Sequence, residues 1–331
     1  MTLLGKNLDQ WLFTSTDQIA FLEQWLNYMD FGLSTRQFCD ALIASGTEAT
    51  KAIGQAGRDA PAEGGTFIGA LTGWFPEIIL TAIQVASDSG DIKVGIGAAI
   101  KQLQGGQQII WQLTKVLAFP FCITIGVGGL GVYVAGKVLD ASREPAGMGL
   151  IVRETVMTWG LPLAVLCVLL LIAISISLPR WSGKGRQACD GLPLFSLYKV
   201  ASAATLLDTL SNLLACGMKL DGALAAIEEN STPFIKGHVA QMRAQKTGEL
   251  NLGNVLDTQL LLPAQLVPLK MLGDIGNFTV LLNKSAVAHH TYTTRRLTRM
   301  KNVLPMIGIL IAILLLATLV GAAVYQLFSA I

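Results

Sequence analysis

The sequence predicts an all-α integral membrane protein with three transmembrane helices and two repeated cytoplasmic antiparallel helix bundles. Three observations carry that prediction. Of the 331 residues, 52% are apolar and only 14% are charged, where an average soluble chain carries about a quarter charged residues. The missing charge is confined to three long windows. The segments outside those windows share features that recur at a nearly constant interval.

No charged residue lies between Lys115 and Lys137, between Glu154 and Arg180, or from Asn302 to Ile331. A helix needs about 20 apolar residues to cross the hydrocarbon core, and each window is long enough. Trp111, Trp159, Trp181 and Tyr325 stand at their edges, where amphipathic rings favour the lipid–water interface. Pro120 and Pro162 are expected near helix starts, where a missing N–H costs little.

Lysine and arginine set the orientation. Lys101, Lys115, Arg180, Lys184, Arg186, Lys199, Arg295, Arg296, Arg299 and Lys301 fall on one side, and Lys137, Arg143 and Arg153 on the other. The positive-inside rule makes the richer side cytoplasmic. The division is then a first cytoplasmic bundle at 1–111, spans at 112–136, 156–179 and 302–328, a periplasmic loop at 137–155 and a second cytoplasmic bundle at 180–301. The first residues lack the apolar core of a signal peptide, so the first bundle is expected to stay on the side where it is made.

The recurring features are helix stops and turns. Gly32-Leu33 matches Gly217-Met218, and Ser87-Asp88-Ser89-Gly90-Asp91-Ile92 matches Gly273-Asp274-Ile275-Gly276-Asn277-Phe278. The intervals are 185 and 186 residues, and Lys115 and Lys301 each follow the second turn by 25 residues at the mouth of a span. Both copies thus enter the membrane in the same direction. The middle span is what returns the chain for the second copy. Ile19, Leu22, Trp25, Leu26 and Met29 follow helical spacing, as do Leu206, Leu207, Leu210, Leu213 and Leu214. Glycines at the stops suit left-handed caps. Ser34 with Gln37 forms a capping box, Asp221 is a candidate N-cap, and Thr232-Pro233 is an N-cap followed by proline at the first helical position. From Phe278 to Phe328 a single helix would run on the order of 75 Å at 1.5 Å per residue.

These features resemble the type II secretion system F family, the inner-membrane platform of type IV pilus and type II secretion machines. The resemblance covers about residues 15–328 and rests on the two Gly-hydrophobic stops, the second-turn pattern at Gly273–Phe278 and its looser copy at Ser87–Ile92. The short chain is most similar to the type IVb pilus branch. The resemblance implies a dimer or trimer that works with a hexameric secretion ATPase, with pilin or prepilin subunits and with other inner-membrane assembly proteins. It implies no catalytic role.

The residues themselves agree on what is missing. No P-loop and no nucleophile–base pair occurs, so neither an enzyme nor a cofactor is expected. Net charge of +2 and the absence of a basic patch exclude nucleic acid as a partner. The lipid bilayer is the partner that composition does require. Cys39, Cys122, Cys167, Cys189 and Cys216 form no C-x-x-C pair and read as small apolar residues. His289-His290 falls on a polar stretch of a predicted helix. Adjacent side chains there point about 100° apart, so a surface position is expected for both rather than a metal site.

Four groups remain as candidate sites. Gly126, Gly128, Gly129 and Gly131 match the dinucleotide fingerprint but sit within a span. Together with Ala317-x-x-x-Gly321 they suit close helix packing in lipid. Arg295, Arg296 and Arg299 either anchor the last span at an anionic leaflet or dock an acidic partner. Asp88, Asp91 and Asp274 either cap helices or hold a divalent cation between copies. Gly32, Gly90, Gly217, Gly273 and Gly276 are structural turns. The alternative function is an oligomeric transporter or permease. It would call for ionisable groups within the spans, which hold none. A membrane-anchored enzyme is a third reading and lacks a catalytic constellation.

Overall fold

The computed structural model describes residues 2–3, 6–106, 109–141, 147–246, 251–274 and 277–329. Within them the chain is helical, apart from a two-residue ladder of β1 (Thr2–Leu3) with β2 (Lys6–Asn7) and a bridge between Thr72 and Phe75. The first helices are α1 (Leu8–Leu12), α2 (Ser15–Asp30), α3 (Thr35–Ser45), α4 (Glu48–Asp59), α5 (Phe67–Ala70), α6 (Glu77–Asp88) and α7 (Ile92–Gly106). Two long helices follow, α8 (Ile109–Asp140) and α9 (Met148–Arg180). The remainder are α10 (Lys184–Cys189), α11 (Pro193–Ala215), α12 (Leu220–Asn230), α13 (Pro233–Lys246), α14 (Leu252–Val255), α15 (Pro263–Leu272) and α16 (Phe278–Ser329). Three helices are long and apolar enough to cross a membrane: Leu113–Asp140, Met148–Arg180 and Phe278–Ser329.

The duplication holds helix for helix. Thr35 and Leu220 open α3 and α12, Glu48 and Pro233 open α4 and α13, and Phe67 and Leu252 open α5 and α14, each pair 185 residues apart. Glu77 and Pro263 open α6 and α15, and Ile92 and Phe278 open α7 and α16, at 186. Three of the turns also share one hydrogen-bond pattern. Leu33 N–H donates to Tyr28 O, Asp91 N–H to Ala86 O and Met218 N–H to Leu213 O. That six-to-one bond closes a helix through a left-handed residue, and Gly32, Gly90 and Gly217 supply it at φ 74°, 88° and 89°. Gly276 lies outside the described residues. Gly273 differs from the other three, with φ −66°. A Cβ there would come within 2.8 Å of Asn251 Oδ1 and 2.5 Å of Leu269 O, so close backbone packing demands this glycine.

Contacts divide the chain into two compact units, one of residues 1–108, 182–192 and 198–291 and one of residues 109–181, 193–197 and 292–331. In the first unit, the first bundle packs α2 and α6 on α7, and α3 on α4, around an aromatic cluster. Trp25 stacks on Phe38 with centroids 6.4 Å apart, and Phe67 meets Trp25 edge-on at 4.9 Å. Phe13 meets Trp74 and Phe75 in the same way. The second bundle packs aliphatic residues instead, with Leu207, Leu210, Leu213, Leu224, Val239 and Leu256 all inaccessible to solvent.

Several local expectations change. The Ser34–Gln37 and Thr14–Asp17 capping boxes form, but Asp221 is not an N-cap. Lys219 occupies that position, and Asp221 sits inside the first turn, where its charge still favours the helix N-terminus. Pro120 and Pro162 are interior to α8 and α9 rather than near their starts. The reason is backbone hydrogen bonding: the first N–H groups of a helix have no partner within it, so its start lies outside the hydrocarbon, where they can be satisfied. Both helices therefore extend well beyond the uncharged windows. α8 runs on to Asp140 and α9 begins at Met148, so the segment between them is shorter than the uncharged windows suggest.

Candidate functional site

In the membrane unit, the glycine run of α8 divides by helical face. A Cβ on Gly128 would lie 2.9 Å from Leu315 Cδ2, and one on Gly131 would lie 3.0 Å from Leu319 Cδ1. These two glycines admit α16. Gly126 and Gly129 face open space, as does Gly321, and Ala317 is exposed. The residues of α16 that turn inward are Gly308, Ala312, Leu319, Ala323 and Gln326, spaced at threes, fours and sevens as one helical stripe requires. At Gly308 the fit is closest: a Cβ would stand 2.4 Å from Pro120 Cβ and 2.8 Å from its Cα. Thr124 Oγ1 donates to the proline's own carbonyl, Pro120 O, at 2.9 Å.

The other end of this unit is closed by Ala135, Leu139, Leu319 and Ala323. Gly149 packs against the backbone of α16 at Ala322 and Ala323. Gln326, 3% exposed, accepts a hydrogen bond from Leu150 N–H at 3.0 Å. A buried amide in this position needs such partners.

Arg295, Arg296 and Arg299 are exposed on α16. Arg296 lies over the Tyr292 ring, 5.3 Å from its centroid, while Leu297 on the opposite side is buried. Among the described residues no carboxylate is paired with the three arginines. They form a basic collar next to an apolar span, open to a phosphate headgroup or an acidic surface.

Asp88 and Asp91 flank one turn, and Asp274 follows α15. Asp88 accepts a hydrogen bond from Gln84 Nε2 at 2.7 Å. Asp91 O accepts from Val94 N–H in the turn that opens α7. Asp274 is exposed after α15. Among the described residues no three His, Cys, Asp or Glu side chains gather as a metal group would.

Two buried polar groups stand out, and one of them departs from an expected surface position. His289 is fully buried. Its Nε2 accepts from Leu262 N–H at 3.0 Å and its Nδ1 lies 2.7 Å from Ser285 O, so the ring is neutral with its proton on Nδ1. It thereby satisfies an orphan amide where α15 begins. Leu282, Ala286 and Thr293 share its buried stripe on α16, a spacing that carried the signal. His290 is partly exposed and pairs with Asp208 Oδ2 at 2.5 Å. Arg186, counted among the cations of the cytoplasmic side, is 1% exposed. It pairs with Asp190 at 2.9 Å and lies 4.9 Å over the Phe234 ring, and Lys199 meets the same carboxylate at 3.1 Å.

A pilus protein is similar to most of this chain. Over 269 residues the chain is 24% identical to the toxin coregulated pilus biosynthesis protein E of Vibrio cholerae serotype O1, covering 76% of this chain and 78% of that one. The match agrees with the resemblance drawn from the repeated turns and the three spans. No protein-family model matches the sequence.

Two outcomes test this packing. Gly308→Ala should destabilise the detergent-solubilised protein by about 1–3 kcal/mol, the usual cost of overpacking. Gly321→Ala, in open space, should leave it unchanged or slightly firmer; denaturation in increasing dodecyl sulfate reads both. The second concerns His238, whose Nδ1 faces Thr258 Oγ1 at 3.2 Å. Burial, aided by nearby Lys199, lowers its pKa from the ordinary 6.5. The unfolded chain then takes up a proton that the folded chain refuses, so stability falls as pH drops below about 6.5. Thermal melts of His238→Gln should show a weaker pH dependence over that range.

Proposed function

We propose that this protein is an inner-membrane platform of a type IV pilus assembly machine. The observation that carries the reading is the similarity, along 76% of the chain, to a pilus biosynthesis protein, joined to a duplicated bundle and three span-length helices. Both bundles lie in the cytoplasm in this reading, with the short loop and the C-terminus in the periplasm, as the distribution of lysine and arginine favours.

The physical need is transmission of force. A soluble hexameric ATPase changes shape in water, while pilin subunits are held in lipid by apolar helices. Something must engage both. The bundles offer the motor a folded surface, and α16 continues from bundle to span as one helix, Phe278–Ser329. The outward faces at Gly126, Gly129, Ala317 and Gly321 offer small residues against which a pilin helix packs closely. The protein acts as a scaffold and catalyses nothing itself.

A strain lacking the gene should make no surface fibres and keep pilin in its membrane at the parental level, as read by electron microscopy and immunoblotting of membrane fractions. Normal fibres in that strain would refute the proposal.

A further inference from the structure

The two bundles touch in a one-sided way. The end of α6 and its turn receive α12 and the turn before it. Ser89 Oγ donates to Cys216 O at 3.3 Å, and a Cβ on Gly217 would lie 3.7 Å from Ser89 Cβ. Cys216 is 2% exposed. The repeat provides both halves of this contact a second time. The counterpart of the Cys216–Gly217 turn is Phe31–Gly32, and the counterpart of α12 is α3. The counterpart of α6 is α15, with Gly273 and Asp274 after it.

Those second halves do not meet. Nothing lies within 4 Å of a Cβ placed on Gly32, and Phe31 is 81% exposed. On the receiving side, Val85 of α6 is half-buried, while its counterpart Met271 is 74% exposed, with Val267 and Leu272 exposed beside it. A two-fold arrangement of bundles would have closed both contacts. The observed one is heterologous, head to tail, and leaves one head and one tail free.

We propose that the free halves join between chains: the Phe31–Leu33 turn and α3 of one copy dock on α15 and Asp274 of a second copy. The residues at the open halves fit this role. The contact within a chain is tethered, so high effective concentration lets small groups such as Ser89, Cys216 and Gly217 suffice. A contact between chains must supply its own affinity. At that position the sequence places Phe31 and Leu33 on one half and Met271 and Leu272 on the other, all exposed. Exposed Arg36 on α3 and Asp274 after α15 add opposite charges.

The test uses the full chain in native membranes and does not depend on the pilus reading. A photoreactive p-benzoylphenylalanine replaces Met271, two differently tagged copies are co-expressed, and adducts are mapped by mass spectrometry. The expected product joins the two tags, with the adduct within residues 31–45 of the second copy. Phe31→Asp, at a position too exposed to disturb the bundle, should lower its yield by about tenfold or more, as for a central aromatic anchor. An adduct on α15 of the second copy, no chain-to-chain adduct, or a yield unmoved by Phe31→Asp would each overturn the proposal.

Discussion

A peptide group cannot enter hydrocarbon with its hydrogen bonds unmade, and the architecture follows from that cost. It forces each crossing to be a complete helix. It also makes the crossings count: α8 and α9 separate the two bundle copies, and two crossings return the chain to the side it left. A duplicated domain that ends by entering the membrane could not otherwise be repeated on one side. The middle helix belongs to neither copy, and only 6% of its most apolar stretch is buried within the molecule.

The two copies keep one skeleton and fill it differently. The first is an aromatic core in which Phe13, Phe21, Trp25, Phe38, Trp74 and Phe75 are all buried. The second relies on leucine and alanine and takes in larger polar groups with partners: Arg186 with Asp190, His289 with Leu262 N–H, and Asn251 with Gly253 N–H and Lys270 O. Such groups are costly unless satisfied, and here they fix where short helices begin. Asn251 caps α14 as Thr66 caps α5, so the same position solves the same problem in both copies with a different side chain.

The parts of this fold that were legible in the sequence are those governed by a single strong term. Long uncharged windows reported the spans, and the left-handed stops reported the repeat because only glycine takes that backbone cheaply. Side-chain direction was harder to read. Ala317 and Gly321 have the small-residue spacing of a packing motif, yet they face outward, while Gly308 and Ala312 have the same spacing and meet α8. The pattern gives the period and leaves the phase open, because lipid and protein are equally apolar neighbours. His289 misled for the opposite reason: its chemistry suggested water, whereas its spacing from Leu282 and Ala286 places it inside. Arg186 had no signal, since its ring and carboxylate partners come from α13 and from the turn after α10.

The account stands or falls on the two bundles sharing one face of the membrane. Single cysteines in place of Ala56, Lys236 and Ser329, in a chain without its native cysteines, can be probed with a membrane-impermeant maleimide in intact and in lysed cells. The parity of crossings requires positions 56 and 236 to label from one face and position 329 from the other, and the lysine and arginine distribution further predicts that 56 and 236 stay unlabelled until lysis while 329 labels at once. Labelling of 56 and 236 from opposite faces would contradict it.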